Sequence, residues 1–346
     1  MAFGFFHALS VDHTQVPSNQ SNFPVLVNFT DNNFATVANG GKVQNSSGFD
    51  IGFYADNNAA TKLAWEMERY TATSGEVIAW VKLPTVSSTS PNTTFYVFYD
   101  DPTINTDQSN PTGVWDANYL GVYHLKDGTT LSVADSTGQN NGTNQGGTAG
   151  AGQVDGCVSL ASASSQYVDL GTNMAPTAIT LEAWVNATSF PNTVQIVVAR
   201  SNAGNTAYAT IQVNSTGTTA WYVLAATDRH VDPGTNTLST GTWYHLVMTY
   251  SNAAGLFNYV NGVQESTATA NGTLNTTSAN VYIGNEIPFS PRFWNGLIDE
   301  VRISNIARSA DWIKATYNNH KPASTFVSKG GQQTPSTFPA FVYAWS

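Results

Sequence analysis

The stretch Trp294-Asn-Gly-Leu-Ile-Asp-Glu-Val-Arg-Ile303 decides how the second half of this chain is read. Beyond Gly296 it is a strand by its period of two: Leu297, Asp299, Val301 and Ile303 fall on one face, Ile298, Glu300 and Arg302 on the other. Asp299 is then grouped with apolar neighbours, where an unpartnered carboxylate costs several kcal/mol, so something must satisfy it. Upstream the same patterning recurs in Ile179–Val185, Gln195–Ala199, Trp221–Ala225, Trp243–Tyr250, Phe257–Val260 and Val281–Ile283. Nearer the start come Phe23–Phe29, Val77–Leu83 and Thr94–Tyr99, the last apolar or aromatic on both faces. Short strands punctuated by Gly, Asn, Pro and Ser imply an all-β fold of sandwiches or jelly rolls.

Helix signals are few. Ser309-Ala-Asp-Trp-Ile-Lys-Ala-Thr-Tyr317 offers a Ser N-cap, an acid in the first turn, then Trp312 and Ile313, and predicts one short helix. Lys62–Tyr70 reads as either a turn or two of helix or a strand. The polar, Pro-punctuated run from Asp100 to Gly113 marks a boundary. The expected organisation is a β-sandwich over 1–102, a linker over 103–117, a jelly roll over 118–320, and a flexible tail over 321–346 with an aromatic end. That tail could dock on its own domain or add a strand to a neighbouring subunit, which makes an oligomer the expectation.

Composition excludes several functions. Charged residues are 10% of the 346, against roughly 25% in an average soluble protein. Asn, Ser and Thr supply the polarity instead, at roughly three residues in ten. A net charge of −10 with no Lys/Arg cluster argues against phosphate-backbone recognition. No apolar run reaches the roughly 20 residues of a membrane helix. Cys157 is the only cysteine, so neither an intrachain disulfide nor a cysteine zinc site can form. The opening Met1–Leu9 lacks a basic n-region and a clear cleavage site and reads as a first strand, with a truncated signal peptide the lesser alternative.

From about Gly121 to Asn318 the chain resembles the laminin G-like branch of the concanavalin A-like jelly rolls. The resemblance is carried by Gly121–Gly128, the Asp135-Ser-Thr-Gly-Gln-Asn-Asn-Gly-Thr143 loop, Gly156–Leu160 with Gln166–Leu170, Thr180–Val185, Trp243–Tyr250, Tyr259–Val263 and, most specifically, Trp294–Ile303. Residues 1 to about 102 resemble bacterial and viral domains of unknown function that often precede such modules, through Val43–Phe53, Ala79–Pro84 and Phe95–Asp100. In the jelly-roll superfamily the first and last strands are neighbours, so the resemblance brings Asp135, Asn141 and Asp299 together as a candidate set for a structural calcium ion. The alternative is that Asp299 accepts backbone N–H bonds and Asp135 caps an Asx turn.

Catalysis finds little support. Glycoside hydrolysis needs two carboxylates roughly 5 to 9.5 Å apart, yet Asp299 and Glu300 alternate to opposite faces, and Glu66 and Glu68 read as a solvated face. The six histidines show no zinc spacing, His245 reads as a satisfied sandwich residue, and no Gly-x-Ser-x-Gly elbow is present. Glycan binding uses aromatic faces with amide or carboxylate groups. Thr227–Asp232 and Glu286–Phe293 read as loops that offer them, making Asp228, Arg229, Phe289 and Arg292 the candidate ligand contacts; of Trp221 and Tyr222, one should be exposed. The expected role is a non-enzymatic, extracellular adhesion or glycan-binding protein, such as a phage tail, fibre or decoration component at a virion surface. Partners would be a cell-surface polysaccharide and other subunits of an assembly. A purely structural assembly protein and a carbohydrate-active hydrolase are the alternatives.

Overall fold

The computed structural model describes residues 3–126, 130–172, 174–204, 208–225, 228–268, 272–286 and 292–335, with the backbone alone at 225 and 228–232. The chain forms two compact units, one of residues 1–14, 21–114 and 325–346, the other of 15–20 and 115–324.

The first unit contains β1 (Phe5–Val11), β2 (Gln20–Thr30), β3 (Gly52–Tyr54), β4 (Trp65–Thr71), β5 (Glu76–Val86), β6 (Thr93–Tyr99) and one helical turn, α1 (Pro111–Val114). Strands β2, β5 and β4 form one sheet, and β1, β6 and β3 belong to another. Phe53 meets Trp65 edge-on across the two, at 5.7 Å between ring centroids. Lys62–Tyr70 resolves to strand from Trp65 onward. Its Glu66 and Glu68 are buried rather than solvated. For Glu68 the reason is visible: the Trp80 indole N–H on β5 donates to it at 2.6 Å, and a register shift between Met67 and Arg69 turns it out of simple alternation.

The second unit is a sandwich of two antiparallel sheets. In chain order its strands are β7 (Tyr119–Tyr123), β8 (Thr143–Gln145), β9 (Thr148–Ala151), β10 (Gly156–Leu160), β11 (Tyr167–Asp169), β12 (Ile179–Ala187), β13 (Val194–Ser201), β14 (Tyr208–Asn214) and β15 (Thr218–Ala225). Then follow β16 (Asp228–Thr237), β17 (Trp243–Ser251), β18 (Gly255–Val260), β19 (Val263–Ala268), β20 (Asn280–Ile283) and β21 (Gly296–Ser304). The eight-stranded sheet runs β19-β18-β17-β12-β21-β10-β9, with β7 also on β21; the seven-stranded sheet runs β16-β15-β14-β13-β20-β11-β8. Their facing sides share one core that includes Val168, Leu181, Val198, Ile211, Trp221, Leu246, Ile283 and Val301. The segment after Thr227, expected as a loop, is strand β16 because Asp228–Val231 pairs with Tyr222–Ala225.

Helix α2 (Ala310–His320) follows β21, with the Ser309 hydroxyl accepting from Trp312 N–H at its start. The chain then re-enters the first unit as β22 (Val327–Gln333), antiparallel to β1. A flexible tail was expected there. Gly330 and Gly331 look flexible in sequence, but they lie within a strand paired to β1 on both sides of them, at Val327–Lys329 and at Gln332–Gln333. The aromatic end, 336–346, lies outside the described residues.

One correction touches the stretch that decided the fold. Strand β21 does not alternate throughout. Glu300 has φ +49°, in the left-handed region, and the pairing with β12 shifts between Glu182 and Trp184. Ile298 faces the core before this bulge, Val301 and Ile303 after it. Asp299 therefore does not share a face with Val301 and Ile303. The bulge falls where β21 changes neighbours, from β10 up to Ile298 to β7 from Val301. Gly296 opens the strand at φ +145°, where a Cβ would come within 2.3 Å of the Asn186 carbonyl oxygen.

Candidate functional site

The side of the seven-stranded sheet turned away from the core gathers polar aromatic residues. Because Val168, Ile283, Val198, Ile211 and Val223 point inward, alternation sends Tyr167, Asp169, Asn280, Tyr282, Tyr208, Gln212 and Tyr222 outward. The register then sets one row across five strands: Tyr222 opposite Thr210, Thr210 opposite Ala199, Ala199 opposite Tyr282, and Tyr282 opposite Asp169. Two small residues thus separate two aromatic groups, about three strand spacings or 14 Å apart. On one side Tyr208 meets Tyr222 edge-on at 6.3 Å. On the other Tyr167 meets Tyr282 at 6.0 Å and Phe293 at 6.2 Å.

Charged groups accompany both aromatic groups. Glu286 is buried, and it accepts from the Tyr208 hydroxyl and from the Arg292 guanidinium. Gln212 donates to the same hydroxyl at 2.7 Å, which fixes the phenol in place. The Arg292 side chain keeps 29% of its surface exposed. At the other end Asp169 accepts from Asn280 Nδ2 at 3.0 Å and from Gly171 N–H at 2.8 Å. Burial first, then the Asp169 charge and Tyr167, push the Tyr282 phenol up to about 12, so it stays a neutral donor. The half-buried Tyr222, Tyr167, Asp169 and Asn280, with Arg292, form the reachable rim; Tyr208, Gln212, Thr210, Ala199 and Tyr282 lie buried behind it.

Of the four residues expected to contact ligand, Arg292 lies in this arrangement. Asp228 and Arg229 sit on β16 at the edge of the same sheet, their side chains outside the described residues, as is Phe289 entirely. Trp221 is core and Tyr222 half-exposed, on opposite faces as their alternation implied. The sequence reading missed Tyr208, Gln212, Asp169 and Tyr282. Alternation along Tyr208–Val213 would have pointed Tyr208 and Gln212 to one face, but not toward Glu286, 74 or more residues away.

The residues of the expected calcium set are occupied by hydrogen-bond donors. Asp135 is buried, and its carboxylate accepts Val122 N–H and Thr137 N–H at 2.9 Å, Asn140 N–H at 2.9 Å, Gln139 N–H at 3.2 Å and the Thr137 hydroxyl at 2.6 Å. Asn141 Oδ1 accepts from Asp135 N–H at 2.9 Å. Asp299 accepts from Gln153, Val154 and Glu300 N–H at 2.7, 3.1 and 2.7 Å. These residues do not fit a calcium ion: the lone pairs it would need face N–H and O–H donors, whose positive ends repel a cation.

A second polar cluster covers the outer side of the eight-stranded sheet. Arg302 lies between Glu300, at 2.6 Å, and Glu182, at 3.7 Å; His124 and His245 close the two ends at 2.7 and 3.0 Å. His245 is fully buried beside Trp184, with Tyr317 of α2 stacked on both rings. Every charge here has an opposite partner and little exposure, the signature of a structural network.

Residues 162–314 match the family model described as the concanavalin A-like lectin/glucanases superfamily. This part of the chain has the jelly-roll fold of that superfamily. Domain 4 of an extracellular arabinanase from Geobacillus stearothermophilus, solved with arabinotriose, is similar at 18% identity and a TM-score of 0.49, over 58% of this chain and 98% of that one. The binding domain of paraclostridial mosquitocidal protein 1 is similar at 14% identity and 0.48, over 58% and 52%. A Trypanosoma rangeli sialidase is similar at 16% identity and 0.44, over 59% and 33%. The jelly roll thus spans about half of the toxin domain and a third of the sialidase. Comparison with curated proteins gives no match.

Proposed function

We propose that the jelly roll binds a glycan on the outward side of its seven-stranded sheet and does not cleave it. The observation that carries this reading is the half-buried rim of Tyr222, Tyr167, Asp169, Asn280 and Arg292 around the buried row of Thr210, Ala199 and Tyr282. Tyrosine faces suit the apolar side of a sugar ring, while the amide, carboxylate and guanidinium groups suit hydroxyls. The lectin/glucanase description of the matched family supports it. Binding without hydrolysis follows from how the acids are used. Glu286 is paired with Arg292 and Asp169 is held by Asn280 and Gly171, so both acids are engaged within the protein. Display outside the cell or on a particle surface suits such a role.

A glycan array on the intact chain should yield at least one binder. Against that binder, Tyr222→Ala and Arg292→Ala should each weaken Kd about tenfold or more, equivalent to about 1.4 kcal/mol, with unchanged circular dichroism. An array without binders, or full affinity in both variants, would reject the site. Adding EDTA should leave the melting temperature and the array profile unchanged, because the Asp135 and Asp299 bonds need no metal; a loss restored by Ca2+ would show otherwise.

A further inference from the structure

Among the described residues of the jelly roll, three arginines are buried: Arg200, Arg302 and Arg308. Two of them face carboxylates, Arg302 at Glu300 and Arg308 at Asp116, at 2.6 and 2.9 Å. Arg200 faces none. It is 0% exposed on β13, opposite Ala209 of β14 and Val281 of β20, both of which belong to the core. Residues directly opposite on a ladder share a face, so Arg200 points between the two sheets. Its guanidinium thus enters an apolar interior, where a charge without compensation costs several kcal/mol.

Main-chain carbonyls supply part of that compensation. Nε donates to the Met174 carbonyl oxygen at 2.8 Å and Nη2 to that of Thr277 at 2.9 Å. These bonds use the side of the guanidinium on which Nε and Nη2 lie together. Nη1 is buried and has no hydrogen-bond partner among the described residues. A guanidinium carries five N–H donors in one plane and keeps its charge in proteins. Three donors therefore remain, two on Nη1 and one on Nη2, and one from each nitrogen run parallel at the end of the fork. A pair of parallel N–H groups on a cation is the geometry that receives an anion. Burial lowers the Arg200 pKa, and no acidic side chain offsets it. Water at this edge would satisfy the hydrogen bonds and leave the charge; an anion answers both. Thr277 is exposed, as is Ala175 beside Met174, so the site lies just beneath the surface, while the full burial of Arg200 admits only a small ion.

We propose that the Nη1 edge of Arg200 binds a small monovalent anion, chloride being the one to test, which neutralises the buried guanidinium that joins the Met174 and Thr277 segments to the core.

Thermal melts of the intact chain in sodium chloride and in sodium gluconate, at about 0.1 M each, hold ionic strength fixed, and gluconate is too large for the site. Chloride should raise the melting temperature of the jelly roll by about 3 °C or more, the shift for an ion at about ten or more times its Kd. Arg200→Met should melt alike in both salts. Independently of any variant, crystals of the parent chain grown with bromide should show an anomalous peak in contact with Nη1. Equal melting of the parent in the two salts, the same chloride shift in Arg200→Met, or bromide crystals with only water at Nη1 would overturn the proposal.

Discussion

Arg302→Met should lower the melting temperature of the jelly roll by about 6 to 20 °C. Arg302 is buried between two buried carboxylates, and its guanidinium lies 5.1 Å over the Trp115 ring. Removing one partner from a buried ionic network costs about 3–5 kcal/mol, because the remaining charges lose compensation without regaining water. For a unit of this size each kcal/mol is worth about 2–4 °C. The cost should depend on pH in a definite sense. Burial would raise the Glu182 carboxyl, but the His245 hydrogen bond and the Arg302 charge outweigh it and hold it below the usual range. Glu300 is likewise lowered, by His124 and Arg302 against burial. Carboxyls with depressed pKa values stabilise above the ordinary carboxylate range and lose that contribution as pH falls through it. Thermal melts from pH 3 to 7 should therefore rise steeply for the parent chain and less for Arg302→Met. A variant melting within about 2 °C of the parent would show that this network contributes little.

None of that network was legible from the sequence. Glu182, His245 and Arg302 are far apart in the chain, and only the order β17-β12-β21 aligns them. What was legible is what depends on local period: the strands around Ile179–Val185 and Trp243–Tyr250, the opposite faces of Trp221 and Tyr222, and the Ser309 cap. Glu66 and Glu68 were misread as solvated because period-2 reasoning sees neither the Trp80 indole nor the shift at Met67. Strand β22 was misread because its glycines carry no strand signal of their own; pairing with β1 imposes it. At the proposed site, the Glu286–Phe293 segment was marked for its composition, and Arg292 within it does reach the site. Its partner Tyr208 was missed, since only the adjacency of β13 to both β14 and β20 brings them together.

Asp299 shows both kinds of reading in one residue, and Asp299→Ala should cost about 2–4 kcal/mol. Sequence correctly marked it as a carboxylate needing satisfaction, but a strict alternation placed it on the wrong face. The bulge at Glu300 leaves β21 between partners, with β10 ending opposite Ile298 and β7 beginning opposite Val301. The turn at Gln153–Val154 fills that gap, and Asp299 Oδ2 accepts both of its N–H groups while Oδ1 accepts from Glu300. Gly152 must be glycine for this approach, since a Cβ there would come within 2.6 Å of Asp299 Oδ2 and 2.1 Å of the Gly156 carbonyl oxygen. Alanine strands three N–H donors at the seam, each costing about 1–3 kcal/mol if left dry, less whatever water recovers. Asparagine keeps one acceptor oxygen but turns an NH2 toward donors, so Asp299→Asn should fall between parent and alanine. Denaturant melts would rank the three, and hydrogen exchange would place the loss at the 153–154 and 300 amides. If alanine matched the parent in both, the seam would be held by the strand ladders alone, and the carboxylate would be incidental to the fold.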